Sequence, residues 1–182
     1  MFSPVFQEVN ILGLNVYENV ALAAEGKIDA ARVREAVKNA GLSERIESLP
    51  DKYDTQLLKV YEANATDLSG GEKQLLTLAR ALYKDAPMII LDEPTAALDA
   101  LAEERMYMKF DELCKGKTAL YISHRLASTR FCDRILVMEG GSIVEEGTHE
   151  ELLRRGGVYA KLFETQAESY RDREGTTDEK KR

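Results

Sequence analysis

Tryptophan is absent, and cysteine nearly so: Cys114 and Cys132 are two isolated residues without CxxC spacing. That pattern excludes a disulfide framework and predicts a reduced, cytosolic setting. Long apolar runs are missing too, none approaching the roughly 18 residues of a membrane-spanning helix. The opening Met1-Phe2-Ser3-Pro4 has neither a basic start nor an apolar core, so no secretory leader is expected. Positive charge is in deficit, with 25 Lys and Arg against 32 Asp and Glu and a net charge of −7. This argues against a nucleic-acid partner. No internal repeat is found. What remains is a chain of 182 residues, 44% hydrophobic and 31% charged, which suits one globular domain with its own core.

The stretch from Asp67 to Asp99, DLSGGEKQLLTLARALYKDAPMIILDEPTAALD, organises the rest. Ser69 with Glu72 three residues on predicts a capping box, each side chain meeting the other residue's backbone N–H. Leu75, Leu76, Leu78, Ala79, Leu82 and Tyr83 then recur at helical spacing, with Lys73, Arg80 and Lys84 off the stripe. After a turn at Asp85-Ala86-Pro87, the run Met88-Ile89-Ile90-Leu91 predicts a parallel strand buried on both faces. Asp92 and Glu93 stand where it ends, and ligands of open α/β sheets bind outside the carboxyl ends of strands. A Ser-x-x-Glu pair is by itself only a helix start, and an acid after a strand often only a loop residue. The order and spacing of the whole set need more than that.

The set resembles the nucleotide-binding domain of ATP-binding cassette (ABC) transporters. LSGGE at 68–72 looks like the family signature, MIILDEP at 88–94 like its Walker B strand, and TAALD at 95–99 like its D-loop. The fifth signature residue is Glu72, where the commonest form has Gln. The resemblance implies an α/β fold: a P-loop NTPase-like core with a partial parallel sheet, and an inserted α-helical subdomain. Expected boundaries are a partial ATPase domain over 1–169, with helical subdomain at about 11–84 and α/β core at about 85–169. After Tyr170 nothing apolar remains, so 170–182 is expected to be a disordered tail.

The remaining segments fit this frame. FSPVFQEV at 2–9 is an extended start in which Gln7 matches the family's Q-loop glutamine. Asn15 predicts the cap of a helix through Ala24. Asp29 predicts a second through Ala40 with Gly41 as its stop, and Leu42, Ile46 and Leu49 a short third. KVYEANATD at 59–67 stands where exporters carry TEVGERG, with Glu62 a stand-in for one acid. Asp99 to Lys115 is expected to be helical. Gly116-Lys117-Thr118 there is a helix stop, because residue 111 is Asp and the strand follows rather than precedes. That strand, Thr118–Ile122, is expected to be buried, and Ser123-His124-Arg125 after it resembles the family's switch histidine. Arg125–Phe131 predicts a short helix and DRILVMEGGSIVE a hairpin about Gly140-Gly141. Thr148 with Glu151 predicts the cap of a last helix, interrupted at Gly156-Gly157. The run from ISHR to GVYAKLFETQ is most like ABC exporters.

No GxxxxGK[ST] occurs in the 182 residues, so the resemblance extends to the later part of a family domain, truncated before it. It implies ATP and Mg²⁺ as cofactors, with Asp92 and Gln7 at the metal. Glu93 and His124 would act on the attacking water and the γ-phosphate. Ser69, Gly70, Gly71 and Glu72 would face the nucleotide of an opposite subunit, and Asp99 would bridge the halves. Implied partners are a transmembrane domain and a second ABC ATPase domain, at the cytoplasmic face of the cell membrane. Two other functions are compatible: a non-catalytic subunit lending its signature to a partner's site, and a non-transport ABC ATPase. The exporter-like run disfavours the latter.

Overall fold

The computed structural model describes residues 2–24, 26–59, 65–95, 103, 106–107, 110 and 114–179, with backbone alone at 127 and 169–179. Asp99, Glu62 and most of the helix expected over 99–115 lie outside these residues. The chain forms two compact units, Met1–Ile122 and Ser123–Arg182. The first and second strands pair within the first unit.

In the first unit three parallel strands, β1 (Phe2–Val5), β2 (Met88–Asp92) and β3 (Thr118–Ile122), lie in that order. Val5 stands opposite Leu91, and Leu91 opposite Tyr121. Pro4 lies within β1 and donates no ladder bond, which an edge strand tolerates. The helices are α1 (Val16–Ala21), α2 (Ala30–Ala40), α3 (Ser43–Glu47) and α4 (Gly70–Lys84). Asn15 caps α1 with a full capping box, and Asp29 caps α2 through the Arg32 N–H. Helix α1 stops at Ala21 because Leu22 turns left-handed (φ 50°) and seals the last turn onto the Glu18 carbonyl.

Helix α4 packs on α1, α2 and β1. Val20, Val33, Val37, Ile46, Leu76 and Leu91 are all at most 1% exposed in that core. Each such aliphatic side chain contributes about 1.5–3 kcal/mol on burial. Asp85 closes α4 in the left-handed conformation, and Lys117 Nζ meets its carboxylate at 2.5 Å. The helical residues Tyr107 and Phe110 cover the Tyr121 ring, with centroids 6.1 and 5.8 Å apart.

The expected burial of β2 and β3 on both faces does not occur. Ile89 and Leu91 are buried, but Met88, Ile90 and Asp92 are only partly so. On β3, Leu120 is 42% and Ile122 48% exposed. The register explains this. Ser3, Val5, Ile89, Leu91 and Tyr121 share the face that meets the core, while Phe2, Pro4, Ile90, Leu120 and Ile122 share the other. An apolar run alone cannot distinguish a strand covered on both sides from one covered on one.

The second unit holds an antiparallel hairpin, β4 (Ile135–Glu139) and β5 (Ser142–Gly147), turning at Gly140 and Gly141 with positive φ. Thr148 and Glu151 form the capping box of α5 (His149–Arg155), and α6 spans Val158–Glu179. Leu126–Phe131 is a 3₁₀ segment rather than an α-helix. Ile135, Val137, Leu152 and Tyr159 make the core of this unit. Helix α6 continues past Tyr170 to Glu179, where the lack of apolar residues predicts a disordered tail. Extending an existing helix adds one backbone bond per residue and needs no apolar partner. Cys114 and Cys132 are not joined in a disulfide. Among the described residues no helix is long and apolar enough to cross a membrane.

Candidate functional site

The carboxyl ends of β1 and β2 bring three of the expected residues to one edge of the sheet. Val5 pairs with Leu91, so Gln7 and the pair Asp92-Glu93 leave adjacent strands at the same end. Gln7 is exposed; Asp92 and Glu93 are half-buried. Glu93 has φ 46°, left-handed backbone that a residue with a Cβ rarely adopts. Pro94 disfavours the right-handed helical region for the residue before it, without by itself requiring the left-handed one. The Glu93 N–H, meanwhile, donates to the Ile122 carbonyl at 2.9 Å and carries the β2–β3 ladder one residue past Asp92. The strand is thereby paired to its last residue, and the backbone turns at Glu93. Strain of this kind concentrates at functional sites.

Beyond the turn, Thr95 is anchored in a buried polar triad. Its Oγ1 lies 2.8 Å from both Glu103 Oε1 and the Tyr107 hydroxyl, and Tyr107 donates to the same Glu103 oxygen at 2.9 Å. Motif spacing did not single out Glu103 or Tyr107. The available signal was an acid and a tyrosine four residues apart on a helix following the Asp-Glu pair.

A second group gathers at the N-terminus of α4. The Glu72 N–H donates to Ser69 Oγ at 3.3 Å, and the Ser69 N–H donates to Glu72 Oε2 at 2.7 Å. This is the predicted capping box. The cap uses a lone pair of Ser69 Oγ and leaves the hydroxyl proton for another acceptor. Gly70 and Gly71 are the first helical residues, and their N–H groups belong to the orphan donors at the positive end of a 15-residue helix. The group is an anion-facing arrangement.

The loop carrying Gln7 is latched by two residues that periodicity treats as ordinary. Arg80 Nε donates to the Asn19 carbonyl at 2.7 Å, Nη1 to the Asn10 carbonyl at 2.6 Å, and Nη2 to Asn19 Oδ1 at 2.8 Å. Asn19 Nδ2 in turn donates to the carbonyls of Leu12, Leu14 and Asn15. Burial pulls the Arg80 guanidinium below its usual value.

His124 belongs to the second unit. Its carbonyl accepts from Gln166 Nε2, while Gln166 Oε1 accepts the Leu126 N–H at 2.9 Å. Gln166 thus holds the segment on both sides of Arg125. The other histidine, His149, is buried, its Nδ1 2.7 Å from the Tyr159 hydroxyl, and serves the core. Asp99 lies outside the described residues. Among those residues no three His, Cys, Asp or Glu side chains cluster to hold a metal ion unaided.

A parallel-stranded α/β unit with acids at a strand's carboxyl end belongs to the class of open α/β proteins that bind ligands outside those strand ends. The family model described as "ABC transporter" matches residues 2–96, and the chain belongs to the ABC transporter family. It is 45% identical over 164 residues to the ATP-dependent lipid A-core flippase of Ralstonia nicotianae, covering 89% of this chain and 27% of that protein. Against the flippase of the same name from Vibrio cholerae serotype O1 it is 42% identical over 165 residues, covering 91% and 28%. Its fold is similar to that of a bacterial Atm1-family ABC exporter solved with ATP bound, at TM-score 0.80 and 33% identity over 91% of this chain and 28% of that one. The chain therefore spans about a quarter of the length of the curated relatives it matches.

Proposed function

We propose that these residues are the C-terminal portion of the ATP-hydrolysing domain of an ABC transporter, of exporter type. Coupled to a transmembrane domain at the cytoplasmic face of the membrane, that domain would drive translocation by binding and hydrolysing ATP. The observation that carries this is the combination of a strained Asp92-Glu93-Pro94 turn ending β2 and a capped, glycine-led start to α4.

Asp92 and Gln7 supply oxygens at adjacent strand ends. Magnesium characteristically takes one or two carboxylates, waters and substrate phosphates rather than an all-protein cage, and this sparse donor set fits it. When bound, the ion would neutralise charge on the phosphates. Glu93 orients the attacking water and takes its proton, and His124 donates to the γ-phosphate. Ser69, Gly70 and Gly71 offer a hydroxyl and N–H groups to the nucleotide of a second ABC ATPase subunit, with Glu72 holding their geometry and Asp99 bridging the halves. Positioning and charge stabilisation account for most of phosphoryl transfer. Residues 1–169 make up this partial domain, its helical block at about 11–84.

The 182 residues contain no GxxxxGK[ST] to cradle the β- and γ-phosphates, so on their own they should bind Mg·ATP weakly and hydrolyse none. Calorimetry should detect no micromolar binding. Mixed with a P-loop-bearing ABC subunit whose own signature serine is replaced by arginine, the chain should restore ATP hydrolysis, and the Ser69→Arg chain should not. Micromolar binding by the chain alone, or no gain in the mixture, refutes this function.

A further inference from the structure

Glu72 departs from the neutral glutamine of the commonest signature. The change puts a negative charge in the first turn of α4, at the end that has to receive a triphosphate, and it offsets the helix's own positive end. The structure supplies an answer from another element. Arg45, on α3, places Nε 2.8 Å from Glu72 Oε1, while Glu72 Oε2 accepts the Ser69 N–H at 2.7 Å. The side chains are 38% and 25% exposed, so the pair is wet and adds little to folding stability. Its value must lie elsewhere.

We propose that Arg45 is a positioning residue that neutralises Glu72, so that the Arg45–Glu72 pair does the work of one uncharged glutamine. The inference rests on Ser69–Gly71 facing a partner's ATP, as above. Both carboxylate oxygens are engaged, one by the arginine and one by the cap. Without Arg45, Oε1 loses its cation and the whole negative charge faces the incoming phosphates. The carboxylate is also free to swing off the Ser69 N–H. Both effects weaken ATP binding and leave a bound complex's turnover untouched. A glutamine needs no such partner, because its amide oxygen makes the same cap without charge.

The test uses the mixture described above, with ATPase rate measured against ATP concentration. Arg45→Ala should raise KM roughly two- to fivefold, the range one charge at a helix N-terminus is worth, with kcat unchanged. Arg45→Lys, which keeps the charge, should stay near the wild-type KM. Arg45→Ala combined with Glu72→Gln should return KM to the wild-type value. If Arg45→Ala leaves KM alone while Ser69→Arg abolishes the rate, the inference fails and the function stands. If Glu72→Gln does not relieve Arg45→Ala, lost packing rather than charge was responsible, and the inference fails. If Ser69→Arg itself has no effect, the function and the inference fall together.

Discussion

Replacing Arg80 by methionine keeps the aliphatic stem against α1 and deletes the guanidinium, so it isolates the latch. Three bonds disappear, at 2.7, 2.6 and 2.8 Å, two of them to Asn19 and one to Asn10. Hydrogen bonds to a charged group contribute about 1.5–3 kcal/mol each, but they are not additive. Arg80 is incompletely buried, so water recovers part of the loss, and Asn19 keeps its own bonds to Leu12, Leu14 and Asn15. The net cost should be about 2–4 kcal/mol, a large share of the roughly 5–15 kcal/mol that holds a domain folded. With no tryptophan to report on unfolding, urea titration followed by far-UV circular dichroism is the assay. Asn19→Ala should cost a similar amount, and the double variant clearly less than the sum, because the two residues share bonds. Strict additivity, or a loss below about 0.5 kcal/mol for Arg80→Met, would refute the latch.

Two further outcomes concern the uncovered sheet face and Asp85. The outer sheet face, with Phe2 at 53%, Leu120 at 42% and Ile122 at 48% exposure, should make the chain self-associate. Sedimentation velocity should show that Leu120→Thr with Ile122→Thr reduces this, and a monomeric wild-type chain would contradict it. For Asp85, the hydrogen bond and charge of Lys117 hold the carboxyl below the usual carboxylate range. A depressed folded value stabilises above the unfolded pKa of about 4 and fades as pH falls through the folded value. The melting-temperature gap between wild type and Lys117→Met should therefore be present at pH 7, vanish in strong acid, and shrink in high salt.

What could be read beforehand follows the length scale of each interaction. Caps act within one turn, and Asn15, Asp29, Ser69 and Thr148 each cap where spacing placed them. Strands came out of short apolar runs, but their cover did not. Whether Leu120 and Ile122 meet protein depends on what packs above them, which no local pattern encodes. The site divides the same way. Asp92, Glu93 and Ser69 stand at element ends that the sequence marks. Arg80, Asn19, Arg45 and Gln166 act across tens of residues, and a polar side chain off an apolar stripe looks the same whether it meets water or a distant carbonyl. The left-handed Glu93 was not legible, because a following proline by itself pushes a residue toward extended backbone.

Gln166 holds one further consequence. Its side-chain amide accepts from Leu126 and donates to His124, the two bonds a neighbouring peptide unit would make with the same segment. The side chain is in effect a one-residue strand, supplied by a helix, lying beside a stretch that has no ladder of its own. Such mimicry demands a donor and an acceptor on one planar group. Glutamate, of nearly equal shape, would turn a lone pair toward the His124 carbonyl where a proton now sits. The alignment of the backbone at 124–126 is thus encoded 40 residues downstream of Leu126, in a helix rather than in a neighbouring strand.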